Sequence, residues 1–162
     1  MKVKDVMTAT PYSCRPEANL GMAAEYMWNG NCGFLPVVDL QERVVGVITD
    51  RDICIALATR NRPAGAISVS EVMARKIFSC FAEDDVHAAM RTMQQGQVRR
   101  LPVLARDGRL VGVISLDDII CQAEPRVLAK EPELNSEEVI RTCKAINRYQ
   151  VPQAAFKRVA AA

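Results

Sequence analysis

The chain repeats itself. Val45-Gly46-Val47-Ile48-Thr49-Asp50-Arg51-Asp52-Ile53 returns 66 residues later as Val111-Gly112-Val113-Ile114-Ser115-Leu116-Asp117-Asp118-Ile119. The offset holds without a gap from Val3/Val69 to Ile53/Ile119, through Met7/Met73, Cys14/Cys80, Glu17/Glu83, Met27/Met93 and Gly30/Gly96. Leu35-Pro36-Val37 and Leu101-Pro102-Val103 match in the same register, as do Arg43 and Arg109. Agreement this dense is a duplication. Two copies of a unit longer than a solenoid repeat suggest a pseudo-twofold pair sharing one interface, not an array. The copies occupy residues 1–66 and 67–123, and residues 124–162 lie outside the repeat.

Each copy reads as a small α/β unit. A one-turn lead-in (residues 2–7 and 69–73) is broken by Pro11 in the first copy. A minimal strand follows at Tyr12-Ser13-Cys14 and at Ile77–Phe81. A helix carries Leu20, Ala23, Ala24, Met27 and Trp28 at helical spacing, and its counterpart carries Val86, Ala89, Met90 and Met93. Gly30 and Gly96 stop these helices, and Asp84 or Asp85 caps the second. The Leu-Pro-Val strand comes next, where the proline implies an edge or a bulge. It turns at Asp39–Glu42, or at Asp107-Gly108, into a β-branched strand. A closing helix starts at Asp50 or Leu116. In the remainder, Pro125 and Pro132 bracket a linker. Ser136-Glu137-Glu138 looks like a capped start of an amphipathic helix to about Arg148, which Val151-Pro152 breaks before a frayed end. The simplest use of that helix is to pack on the repeat core; the alternative is to dock on a partner.

The repeated motif has chemistry. A strand arrives at a hydroxyl, and a carboxylate follows three residues later, where the helix dipole and free N–H groups favour it. Hydroxyl, carboxylate and N–H donors at such a junction can hold a sugar and a phosphate. Helix capping alone would account for Thr49 or Ser115, and first-turn charge for Asp52 or Asp118, but the recurrence of the whole set favours a site. Little else competes. A net charge of +2 gives no argument for nucleic acid or an anionic membrane. No apolar run has spanning length, and Met1-Lys2-Val3-Lys4-Asp5 leaves no room for a signal peptide, so cytoplasm is the expectation. Six cysteines and one histidine, without a C-x-x-C pair, are poor material for zinc; buried thiols acting as small hydrophobes are expected, and His87 reads as a surface residue. No nucleophile–base pair, metal set or P-loop points to an enzyme.

The order of short strand, helix, Leu-Pro-Val strand, Gly-Val-Ile-Thr/Ser-x-x-Asp and helix resembles the CBS domain, over roughly residues 2–123. Two in tandem are similar to a Bateman module. The resemblance implies two three-stranded sheets, each with two main helices, related by a pseudo-twofold axis, and often a disc-like homodimer. It implies a non-catalytic regulatory module that binds an adenosine compound (AMP, ADP or ATP first, S-adenosylmethionine or NAD as alternatives) without a required cofactor, and signals to a separate effector protein. The alternative is a scaffold with empty clefts whose C-terminal helix docks a partner.

By the same resemblance each cleft joins the Asp of one copy to the first strand and pre-Leu-Pro-Val segment of the other. One cleft uses Thr49 and Asp52 with Lys76, Phe78, Val98, Arg99 and Arg100. The other uses Ser115 and Asp118 with Thr10, Tyr12, Cys32, Gly33 and Phe34. Arg99-Arg100 suits phosphate. Its counterpart, Gly33-Phe34, lacks cations, although an arginine of the second copy could reach across. One phosphate-competent cleft and one weaker or differently used cleft are therefore expected.

Overall fold

The computed structural model describes residues 1–124 and 133–148. The Pro125–Pro132 linker apart from its neighbours, Tyr149, the Val151-Pro152 break and the tail lie outside the described residues. Six strands occur in the order β1 (Thr8–Ala9), β2 (Phe34–Val38), β3 (Val44–Thr49), β4 (Cys80–Phe81), β5 (Arg100–Leu104) and β6 (Leu110–Ser115). Five α-helices accompany them: α1 (Leu20–Asn29), α2 (Asp50–Arg60), α3 (Val86–Gly96), α4 (Leu116–Gln122) and α5 (Ser136–Ile146). The lead-ins are single 3-10 turns, Val3–Asp5 and Val69–Glu71.

The second copy builds a sheet in the order β1-β6-β5-β4, three strands of its own and one borrowed from the first copy. In the first copy, β2 and β3 pair, and isolated bridges Cys14–Val37 and Val47–Ala74 stand where β4 and β1 stand in the other. The borrowed strands are symmetric: Thr8 faces Val113, and Ala74, 66 residues after Thr8, faces Val47, 66 residues before Val113. Arg43 pairs with its own equivalent, Arg109. A residue that meets its own counterpart lies on the axis, so the pseudo-twofold passes between these two.

The crossing explains the glycine of the repeated motif. A Cβ on Gly46 would stand 2.7 Å from Met73 Sδ and 3.1 Å from the Ala74 carbonyl oxygen; on Gly112 it would stand 2.5 Å from Met7 Sδ. Each glycine admits the lead-in of the opposite copy. The lead-ins also enter the opposite cores. Val3 is buried in the cluster with Met93, Leu101 and Ile114, whereas Ile67, Val69 and Met73 are buried with Leu20, Leu35 and Ile48. Reciprocal backbone bonds fix them, Val3 N–H to the Asp84 carbonyl at 2.9 Å and Val69 N–H to the Ala18 carbonyl at 2.7 Å.

Local chemistry sets the element ends. Asn19 caps α1 by accepting from Met22 N–H, and Asp85 caps α3 by accepting from His87 N–H. Pro36 is not at an edge: β2 lies between β3 and the Cys14 bridge, whose N–H bonds the Pro36 carbonyl. The alternative, a bulge, is what the structure shows, as a register shift at Val37/Val38 and again at Val103/Leu104. Three expectations are corrected. The first strand is one bridge at Cys14, because Thr10 takes a left-handed φ of 48° and turns the chain beside Pro11. Its counterpart shortens from Ile77–Phe81 to Cys80–Phe81. Trp28 is not core but 85% exposed.

Helix α5 packs on the helices of the second copy. It contacts α3 and α4, burying Val139, Thr142 and Ile146. It starts at Ser136 as expected and is capped by Asn135, whose side chain accepts from Glu137 N–H at 2.9 Å. Gln94 Nε2 donates to Thr142 Oγ1 at 2.7 Å. His87 is also no free surface residue, since its Nδ1 lies 2.7 Å from Asp85 Oδ1 and its Nε2 3.3 Å from Glu138 Oε2 on α5.

Candidate functional site

The two strand-to-helix junctions are built alike. Thr49 Oγ1 donates to Asp52 Oδ2 at 2.7 Å and accepts from Asp52 N–H at 3.2 Å, and Thr49 N–H donates to the same Oδ2 at 2.9 Å. Ser115 and Asp118 repeat this with 2.7, 3.0 and 2.8 Å. Both are capping boxes, so the capping explanation of these residues is realised. It does not exhaust them. Every one of these carboxylate bonds uses Oδ2, and among the described residues no hydrogen bond takes Oδ1 of Asp52 or Asp118. Both aspartates are half-buried at helix N-termini. Each junction presents a fixed carboxylate oxygen as an acceptor.

The segments expected to complete the clefts sit as follows. Lys76 follows the Ala74 bridge across β3, with its ammonium 5.0 Å from the centre of the Phe78 ring. Phe78 covers Gly96, where a Cβ would stand 2.7 Å from the ring, and packs on the core of the second copy together with Val98. Tyr12 covers Gly30 in the same manner, 6.4 Å from the Tyr26 ring centre, and remains 51% exposed. Thr10 is exposed and Cys32 half-buried. Phe34 is buried in β2 opposite Thr49, so its ring is largely committed to packing. Arg99 is exposed, and its carbonyl accepts from Leu116 N–H at 2.8 Å.

Arg100 stands on the other side from the one anticipated. It is opposite Ser115 in the β5–β6 register, 3.8 Å from Asp117, and lines a groove of about 670 Å³ with Cys32, Gly33 and Asp50. Hairpin geometry puts the residue before Leu-Pro-Val beside the hydroxyl of its own copy, so Arg100 is the arginine that reaches across to Cys32 and Gly33. Among the described residues, no hydrogen bond or ion pair joins Thr49 or Asp52 to Lys76, Arg99 or Arg100. The groove continues between α1 and α2 along Met27, Trp28 and Leu57. Sequence reasoning passed over Asp50. Its one visible signal was the 66-residue alignment, which puts Leu116 at the same place.

The cysteines divide by position. Cys14 and Cys80 are buried, and burial pushes their thiols up to about 11 and about 12. Cys54 and Cys121 are exposed, so packing as buried hydrophobes does not describe all six. Among the described residues no group of His, Cys, Asp or Glu could hold a metal ion, and no helix is long and apolar enough to cross a membrane.

Known proteins place this geometry. CBS domain-containing protein YhcV of Bacillus subtilis is 36% identical over 117 residues, which are 72% of this chain and 81% of that protein. Homoserine O-acetyltransferase of Methanosphaera stadtmanae is 32% identical over 114 residues, 70% of this chain but 22% of that enzyme, so the chain spans about a fifth of that relative. The crystal structure of the CBS domain pair of protein MJ0100, in complex with 5′-methylthioadenosine and S-adenosyl-L-methionine, matches with a TM-score of 0.67 at 27% identity, covering 74% of this chain and 92% of that one. The CBS domain family model matches residues 3–59 and 69–122, one match for each copy. With the same hydroxyl–carboxylate junction in both copies and a shared fold, the chain belongs to the CBS domain family as a tandem pair.

Proposed function

We propose that this CBS pair is a non-catalytic regulatory module that binds adenosine compounds in the clefts between its copies and signals occupancy to a separate effector. The observation that carries the reading is the duplicated junction, with Oδ1 of Asp52 and of Asp118 left as an acceptor beside a fixed hydroxyl. A carboxylate oxygen at such a place can accept from the hydroxyls of a ribose. The MJ0100 pair, which holds adenosine ligands on the same fold, supports the ligand class. Thr49, Asp52, Lys76, Val98 and Arg99 form one cleft in this reading. Ser115, Asp118, Thr10, Tyr12 and Cys32 form the other, to which Arg100 is reassigned. Phe78, under Lys76, borders the first. A cytoplasmic homodimer is part of the proposal, supported by the apolar face of α1 and α2 around Trp28, which is exposed among the described residues. The scaffold alternative needs α5 free for a partner, yet α5 spends its apolar face on α3 and α4.

Calorimetric titration with AMP, ADP, ATP, NAD, S-adenosylmethionine and 5′-methylthioadenosine tests the proposal, using Asp52→Asn and Asp118→Asn. Asparagine keeps an oxygen for the cap bond and removes the charge. At least one compound should bind, and each substitution should weaken one class of site by about tenfold or more, the scale of a lost charge-assisted bond. Absence of heat with all six compounds at millimolar concentration would sink it.

A further inference from the structure

The two clefts differ most at a residue outside the repeated hydroxyl–carboxylate pair. The backbone contact is the same in both copies: Asp50 N–H reaches the Gly33 carbonyl at 3.3 Å, and Leu116 N–H reaches the Arg99 carbonyl at 2.8 Å. The side chains reverse its character. In the first copy a carboxylate lies over a glycine, and a Cβ on Gly33 would stand 2.5 Å from Asp50 Oδ2. The carboxylate therefore fills the space that a side chain at position 33 would use. Its other oxygen accepts from Arg51 N–H at 2.7 Å, which fixes it at the start of α2. In the second copy the corresponding pair is the exposed guanidinium of Arg99 beside buried Leu116.

We propose that Asp50 sets the charge preference of the Ser115–Asp118 cleft, so that it takes adenosine compounds neutral or cationic at the 5′ position and rejects 5′-phosphates. This rests on the reading that the clefts bind adenosine compounds. Arg100 is the cation lining the groove that Asp50 shares. It stands 3.8 Å from Asp117 and lines the same groove as Asp50, so two carboxylates share the surroundings of one positive charge. An incoming phosphate meets a site whose cation is already compensated, and like charges at such range repel strongly once water is displaced. The Thr49–Asp52 cleft has Lys76 and Arg99 in the proposed set and Leu116 in place of the acid. The same fold thus offers one anion-accepting and one anion-rejecting cleft.

The test uses the intact chain carrying Asp52→Asn, which weakens the first cleft, with and without Asp50→Asn. Asparagine is isosteric and keeps the bond to Arg51 N–H. Adenosine, AMP and S-adenosylmethionine, a sulfonium cation, are titrated calorimetrically. Removing the charge should strengthen AMP binding about tenfold, leave adenosine within about twofold, and weaken S-adenosylmethionine, an order expected for one charge at close range. A merely structural effect would move all three ligands in one direction, and that result overturns the proposal. An unchanged AMP-to-adenosine ratio overturns it as well. If adenosine binds neither these proteins nor the unsubstituted chain, the adenosine reading fails and this inference falls with it; if it binds the unsubstituted chain alone, the Ser115–Asp118 cleft takes no adenosine and only this inference falls.

Discussion

The two copies share a sequence pattern and a fold, yet their helix faces have different fates. On the second copy α5 lies over α3 and α4. On the first, no helix among the described residues lies over the equivalent face of α1 and α2. The residues anticipate this. Gln94, which donates to Thr142 on α5, corresponds to Trp28, and Met90, which Thr142 Oγ1 approaches at 3.7 Å, corresponds to Ala24. His87, held between Asp85 and Glu138, corresponds to Gly21. One face carries polar anchors for an internal helix. The other carries a large exposed indole beside a groove. A repeat can preserve the core of a fold while the outer surfaces diverge, because the core constrains volume and the surface constrains only what covers it.

The most disruptive way to break the comparison is to remove α5. A chain ending at residue 124 strips cover from α3 and loses the burial of Leu134, Val139 and Ile146, each worth about 1.5–3 kcal/mol. The melting temperature should fall by several degrees or more, and dye binding to apolar surface should rise. A truncated chain with unchanged melting would mean that α5 contributes nothing to the second copy. Such a chain should still bind a ligand that the intact chain binds.

A smaller change sharpens the same contrast. Thr142 is the buried polar residue of α5. Its hydroxyl accepts from Gln94 and donates to the Glu138 carbonyl at 2.9 Å. Thr142→Val keeps the shape and orphans the Gln94 amide, so urea denaturation should show a loss of about 1–2 kcal/mol. Adding Gln94→Ala should then cost little more, since the interaction is already broken. Equal, additive losses would show that the pair does not act together.

The smallest expected effect concerns the exchanged lead-ins. Lys2 and Lys4 bind Glu83 at 2.6 and 2.8 Å, and hold the Glu83 carboxyl down at about 2 from an ordinary 4.5. At the reciprocal crossing the corresponding positions are Ser68 and Ser70 of the second copy and Glu17 of the first, and the two serine hydroxyls bond each other at 2.9 Å. A depressed carboxylate contributes stability above its unfolded pKa and loses it as pH falls through the folded one. The advantage of wild type over Glu83→Gln should therefore be present at pH 6 and vanish between about pH 4.5 and 2. It should also shrink with salt, because these groups are exposed. An advantage that persists at pH 2 would dissociate it from this carboxylate.

Much of this protein was legible in the chain itself. The ungapped offset established two equivalent units, and apolar spacing placed the main helices. The Gly-Val-Ile-Thr/Ser-x-x-Asp motif located both junctions, since strand end, hydroxyl and carboxylate are local in sequence and their capping bonds span three residues. What spans longer distances was decided only by the tertiary structure. That Val3 and Val69 enter each other's cores, and that Gly46 and Gly112 are small because Met73 and Met7 cross them, follows from how the copies pack. The placement of Arg100 beside Ser115 required the hairpin register, which brings residues 15 apart in sequence face to face. The covering of one helix face and not the other required knowing where α5 goes. Its periodicity shows an apolar stripe but carries no address. Asp50 reads along the sequence as an ordinary first-turn acid; only the tertiary structure lays its carboxylate over Gly33 in the groove that Arg100 lines.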